Sequence, residues 1–315
     1  MPYTHPLKSI LFDVSISPYC LAVYMRITLH HVTEYLYDRA VALGPQIIRL
    51  CPAPHYQGHL LNYSMRVEPE GVDIRWSNDA FSNQTAEVFF SGTTRLFRVT
   101  VNLTIDQQST EHSALPPVSE APPMPPAYEP PLIRELAPYR RTEPAGPQCQ
   151  AYLRTIERGD LRTADFVTRM NQKLHQDIRY QIRKEHGVQT VEETLQKRSG
   201  SCRDSSWLLV QLLRHCGFAA RFVSGYLIQL PSGAGAAESM PKSAVDPTEL
   251  HAWCEVYLPN IGWTGLDPTS GLPADHSHVP LACAPDPAAA APVEGQVEPC
   301  EVDFSYRIDL TAMNE

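Results

Sequence analysis

Three residues in the second half of the chain have the types that acyl transfer needs: Cys202, His251 and Asp267. In such a set the cysteine attacks an acyl carbon. The histidine takes or holds the thiol proton and later gives it to the leaving amine, while the carboxylate orients the imidazole and stabilises its charged form. Cys202 follows Gly200 and Ser201 and precedes Arg203, Asp204, Ser205, Ser206 and Trp207. Beyond them Leu208, Leu209, Leu212, Leu213 and Cys216 recur at helical spacing, and Gly217 stands where a helix ends. The spacing predicts a helix with Cys202 in its first turn, where unpaired N–H groups and the positive dipole end favour a thiolate. A lone cysteine at such a place is more often a small buried apolar residue, so the reading depends on a base.

His251 supplies one. Residues 249–258 read as a strand with His251, Trp253, Glu255 and Tyr257 on one side and Ala252, Cys254, Val256 and Leu258 on the other. Pro259, Asn260, Ile261 and Gly262 turn the chain into a second strand over 262–269, with Asp267 near its end. A turn centred near 260–261 makes paired positions sum to about 520, which brings Asp267 within about two positions of the residue facing His251, on the same face. Each residue also has a plainer reading: His251 as a satisfied strand histidine, Asp267 before Pro268 as a turn residue. A zinc set of Cys202, His251 and Cys254 is disfavoured, because Cys254 points away from His251.

Other elements must position these groups. Residues 25–37 alternate apolar and polar, and short strands follow at 46–49, 60–67, 72–77, 87–91 and 94–105, separated by turn residues. They predict an all-β domain, sandwich or open barrel, over about 25–107. His30, His31, His55 and His59 in this part read as surface or strand-face residues. Eleven prolines between 116 and 147 predict a polyproline connection over 108–147 with neither helix nor central strand. Helices are predicted over 163–179 and, from the Thr190/Glu193 capping box, to Lys197. Residues 219–230 are apolar on both faces and read as a buried strand, 231–245 as a loop or gate, and 300–310 as a last strand.

The totals bound the function. The chain has 315 residues, 43% hydrophobic and 19% charged, enough for two domains. A net charge of −9 argues against nucleic acid as a partner. Eight scattered cysteines without a CxxC pair fit reduced thiols in the cytoplasm rather than a disulfide or zinc framework. No apolar run is long enough to span a membrane. No metal, calcium loop or other cofactor is expected. Residues 1–24 fit no pattern and read as an extension, with Met25 as the expected natural start.

Four blocks carry a resemblance. They are Gly200-Ser201-Cys202-Arg203-Asp204, Ala220-Arg221-Phe222-Val223-Ser224-Gly225-Tyr226, His251-Ala252-Trp253-Cys254-Glu255-Val256-Tyr257 and Gly262-Trp263-Thr264-Gly265-Leu266-Asp267-Pro268-Thr269. In order and spacing they resemble the core of bacterial transglutaminase-like cysteine proteases. The stretch from Thr28 to Asp38, with Arg49-Leu50-Cys51-Pro52, is similar to that family's N-terminal β domain. The resemblance covers about residues 25–310. It implies an α+β fold: a sandwich-like β domain and a papain-like core over 148–315, with the cysteine helix packed on an antiparallel sheet. It also implies Cys202 as nucleophile, His251 as base and Asp267 as orienting acid. The Cys202 N–H would be one oxyanion donor, with Tyr180 and Trp253 as candidates for oxyanion or support roles. The implied substrate is a protein or peptide amide, hydrolysed through a thioester or passed to an amine; a non-enzymatic binding module is the third reading. Some members are longer, so a further C-terminal region or partner is also implied.

Overall fold

The computed structural model describes residues 24–108, 126–157, 159, 161–183, 185–228 and 248–314. The expected extension before residue 24 and the loop over 231–245 lie outside them.

The longest element is β1, Tyr24–Ile48. Ile27, Leu29, His31 and Thr33 are buried on one side, while their neighbours in sequence are more exposed, as period two requires. The strands expected separately at 25–37 and 46–49 are therefore one. Its pairing with β5 (Thr93–Gln108) shifts register between Leu36 and Val41, and such an irregularity bends a strand rather than ending it. The first half of β1 pairs with β5, and β2 (His59–Glu68) flanks β5. The far end of β1 pairs with β4 (Gln84–Phe89), and β3 (Asp73–Asn78) flanks β4.

The proline-rich segment is more structured than composition suggested. α1 (Pro130–Glu135) and α2 (Pro147–Arg154) both begin on proline, which helices accept in the first turn because those N–H groups need no partner. Tyr128 anchors the segment to the core: its hydroxyl accepts from the Ala219 N–H (3.0 Å) and donates to the Tyr257 carbonyl (2.9 Å).

α3 (Thr163–Asp177), α4 (Val191–Lys197) and α5 (Cys202–His215) follow, with the short parallel strands β6 (Arg179–Tyr180) and β7 (Ser199–Gly200) between them. The Thr190/Glu193 capping box is present at α4. A second sheet then forms from β8 (Ala220–Ile228), β9 (Thr248–Leu258), β10 (Gly262–Asp267), β11 (Leu272–Pro273) and β12 (His278–Ala284), in the order β11-β10-β9-β8-β12. Leu208, Leu209, Leu212 and Leu213 of α5 are wholly buried in the core that also holds Ala252, Cys254 and Val256 of β9. Tyr226 and Ile228 of β8 and Val279 and Leu281 of β12 instead join the core of the first sheet. Every residue of β8 is buried, which explains its apolar character on both faces.

The expected catalytic core over 148–315 needs one correction. β13 (Val293–Val297) and β14 (Val302–Asn314) leave the second sheet and pair antiparallel with β1, β14 in continuous register from Met25↔Asn314 to Tyr37↔Val302. The last strands complete the first sheet, because β1 offers them an edge that no earlier strand covers.

Candidate active site

A buried carboxylate builds the start of α5. Asp204 is fully buried, and its Oδ2 accepts from both the N–H and the Oγ of Ser201, each at 2.8 Å. Arg183 donates to the same oxygen (2.9 Å), and the Gln189 N–H donates to Oδ1 (2.6 Å). Burial opposes the Asp204 charge, yet Arg183 and these donors hold the carboxyl below its usual range. Gly200 is required here: a Cβ would lie 2.7 Å from the Asp204 Cβ. Cys202 thus begins the helix at a rigid corner, 9% exposed. Ser206 ties α5 to β9 through the Ala252 carbonyl (2.9 Å).

His251 and Asp267 come together across the β9–β10 hairpin. The observed pairs, from Gly262↔Leu258 to Leu266↔Cys254, have the register expected from the turn. His251 Nε2 lies 3.3 Å from Asp267 Oδ1, and Nδ1 lies 3.4 Å from Glu249 Oε1. Both are ion-pair contacts without the alignment of a good hydrogen bond. Burial opposes the charged ring. Asp267, Cys202 and Glu249 around the imidazole outweigh it and hold the His251 proton well above the usual histidine range. Asp267 is also buried, and the facing His251 and His278 keep it ionised far below the ordinary carboxylate range. Its backbone is fixed: the Thr269 N–H donates to Oδ1 (2.8 Å), and Asn171 of α3 donates to its carbonyl (3.2 Å).

The two support candidates separate. The backbone around Tyr180 pairs with Gly200, and Gln181 N–H donates to the Gly200 carbonyl (2.9 Å). The Tyr180 side chain is partly exposed, and burial, with Cys202 and Glu249 nearby, pushes its phenol up to about 12, so it remains an O–H donor. Trp253 is buried, packs edge-on against His278 with centroids 5.1 Å apart, and fills the space left by Gly225, where a Cβ would meet its ring at 2.5 Å. It packs behind the site.

Sequence reasoning missed Arg183, Asn171, Glu249 and His278. Asp204 carried a signal, since Ser201 and Asp204 are spaced as N-cap and N3. Glu249 carried one too, two positions before His251 on the same strand face; Arg183, Asn171 and His278 did not, because long-range packing brings them in. The histidines of the β domain lie on strand faces or at the surface, as expected, and two of them have notable partners. His31 is fully buried, with Nδ1 2.9 Å from the Tyr226 hydroxyl and Nε2 2.8 Å from the Thr33 hydroxyl. His55 faces Glu255 at 3.5 Å and the Cys283 sulfur at 3.5 Å. Cys254 is buried in the helix-facing core with Ala252 and Val256, away from the His251 side of β9.

Two comparisons with protein families agree with this architecture. The Transglutaminase-like superfamily matches residues 150–268, and the Bacterial transglutaminase-like N-terminal region matches residues 27–106. The chain thus carries a bacterial transglutaminase-like N-terminal region followed by a transglutaminase-like core. Its α+β fold resembles that of a proposed cysteine protease from Cytophaga hutchinsonii, with a TM-score of 0.66 at 17% identity, over 93% of this chain and 92% of that one. Among curated proteins, the uncharacterized Rv2569c of Mycobacterium tuberculosis is 24% identical over 86% of this chain and 87% of its own length. YebA of Bacillus subtilis is 35% identical over 75 residues, 24% of this chain and 10% of that much longer protein. The family supports a thiol enzyme. Among the described residues no helix is long and apolar enough to cross a membrane.

Proposed function

We propose that this transglutaminase-like protein cleaves peptide, isopeptide or glutamine amide bonds through a thioester on Cys202. The carrying observation is that one buried imidazole, His251, has Asp267 Oδ1 3.3 Å from Nε2, while Cys202, at a helix start, is a second group that favours its charged form. Nε2 faces Asp267, and in this reading Nδ1, which also faces Glu249 Oε1 at 3.4 Å, exchanges its proton with the sulfur. The Cys202 proton rests on His251, and the sulfur attacks the amide carbon. A C–S bond forms and the carbonyl electrons move to oxygen. The Cys202 N–H and the Tyr180 hydroxyl serve as oxyanion donors. Collapse breaks the C–N bond, and the leaving amine takes the proton from His251. Water then gives a proton to the imidazole, adds to the thioester carbon, and expels the thiolate, freeing the acid.

The substrate is a protein or peptide, with no nucleic acid, cofactor or metal in the reaction. A cytoplasmic setting fits the seven described cysteines, none of which is in a disulfide. In longer relatives the same unit would act as a front module. Labelling with iodoacetamide at mildly acidic pH tests the nucleophile. Cys202 should react first and His251→Ala should suppress it; equal labelling of all thiols would sink the assignment. A glutamine peptide offered with a labelled amine then separates the chemistries. Acid product without amine incorporation supports hydrolysis, and incorporation would move the protein to the transferases.

A further inference from the structure

Asp267 does not serve His251 alone. Its second oxygen, Oδ2, lies 3.7 Å from Nε2 of His278, the first residue of β12, and the two imidazole centroids are 6.0 Å apart. His278 is 9% exposed, and its Nε2 has no hydrogen-bond partner. Asp267 is the group it faces. The other ring nitrogen is held from the 274–277 turn. Nδ1 lies 3.3 Å from Asp275 Oδ1, 3.1 Å from the Ser277 hydroxyl and 3.2 Å from the Asp275 N–H. Ser277 in turn donates its N–H to Asp275 Oδ1 (2.8 Å), which fixes that carboxylate. Trp253 closes the remaining side of the ring.

We propose that His278 is a positioning residue: it directs Nε2–H at Asp267 Oδ2, so that one carboxylate is divided between two imidazoles. This rests on the reading of His251 and Asp267 as base and orienting acid. The tautomer follows from the surroundings. If Nδ1 accepts from the Asp275 N–H, the ring is neutral and its hydrogen is on Nε2. If the ring is charged, as the two facing carboxylates favour, Nε2 carries a hydrogen as well. In both states that hydrogen is on the nitrogen that faces Asp267 Oδ2 at 3.7 Å.

Division of the carboxylate has a consequence for His251. The groups facing His251 are Cys202 from α5, Glu249 from β9, Asp267 from β10 and, behind Asp267, His278 from β12; Tyr180 of β6 borders them. Three of these partners hold the proton on His251. A base that must later release its proton to an amine is hindered by holding it too firmly. Engagement of Asp267 by His278 weakens that hold and also keeps the carboxylate from rotating.

The test is a proton NMR titration of the histidine rings in wild type, His278→Gln and Asp275→Ala, with iodoacetamide labelling of Cys202 in parallel. Removal of His278 should raise the titration midpoint of His251 by about one pH unit, the scale of one hydrogen bond to a charged group. Asp275→Ala, which leaves the ring but removes its anchor, should raise it by less; it carries the test if His278→Gln fails to fold. A midpoint that stays or falls in the folded variants overturns the proposal and leaves His278 as packing. Labelling separates the two levels. If Cys202 leads in wild type while the His251 midpoint ignores both variants, only the positioning role falls. If Cys202 does not lead, the thiol-enzyme reading itself falls.

Discussion

The fold contains two groupings of cysteine, histidine and carboxylate, and their differences show what a reactive thiol requires. In one, Cys202 opens a helix, and His251 faces Asp267 at 3.3 Å, with Asp267 and Cys202 both favouring its charged form. In the other, Cys283 lies within β12, with His55 3.5 Å from its sulfur and Glu255 3.5 Å from that imidazole. The residue types match. In the second group, however, the carboxylate is committed elsewhere: Arg221 donates to Glu255 through Nε at 2.7 Å, and its NH2 group faces the His55 ring at 3.3 Å. Burial opposes the Glu255 charge, and Arg221 holds the carboxyl at about 2 regardless. Burial, then Glu255, pushes the Cys283 thiol well above its ordinary range. That sulfur stands on a strand, and the Cys283 N–H and carbonyl are both bonded to the Asn83 amide. The second cluster fastens a loop of the first sheet to the second sheet, and the first is the one we propose for chemistry.

The comparison breaks most sharply at the sulfurs. Cys202→Ala should abolish thioester chemistry, with a fall of at least about a thousandfold in amide cleavage. Cys283→Ala should leave the rate within about twofold, since a neutral thiol there does no work on substrate. A large loss in Cys283→Ala without unfolding would mean that the two roles have been assigned to the wrong clusters.

Next come the carboxylates. Asp267→Asn should cut the rate by about a thousandfold with little change in the urea midpoint, because the imidazole loses its orienting charge. Glu255→Gln should do the reverse. It strands the buried Arg221 charge, at a cost of about 3–5 kcal/mol in urea unfolding, while Cys202 labelling persists in the folded fraction. Equal stability losses from the two substitutions would erase the distinction between a working and a structural carboxylate.

The smallest effect is at the contact between the sheets. Burial, and then neighbouring His30, hold His31 down to about 4, so it is neutral in the fold and protonates more readily in the unfolded chain. Stability from this residue is therefore intact above pH 6.5 and is lost as pH falls toward 4, by up to about 3 kcal/mol. Unfolding of His31→Gln across that window should lack the slope, even if its stability at pH 7 is lower.

Much of the site was legible because its signals are local. A helix start is written in Gly200, Ser201, Asp204 and the leucines behind them, and a two-residue period with a turn near Asn260 fixes which strand face carries His251 and Asp267. The buried strand at 220–228 showed itself by apolar residues on both faces. The proline segment misled, because proline forbids a helix interior but suits a helix start, and position within the turn decides between them.

The sequence by itself determined the α+β composition, the family blocks, the helix that begins at Cys202 and the register that puts Asp267 within two positions of the residue facing His251. Only tertiary structure decided that β14 returns to β1, that Arg183 reaches Asp204, and that His278 arrives behind Asp267 from a strand three places across the sheet from β10. It also decided which of two cysteine–histidine–carboxylate groupings keeps its carboxylate free for histidine. Periodicity and capping act over a few residues and leave a trace in the chain. The partners of a buried charge are chosen among residues tens to hundreds of positions apart, where spacing along the chain carries no record of spacing in the fold.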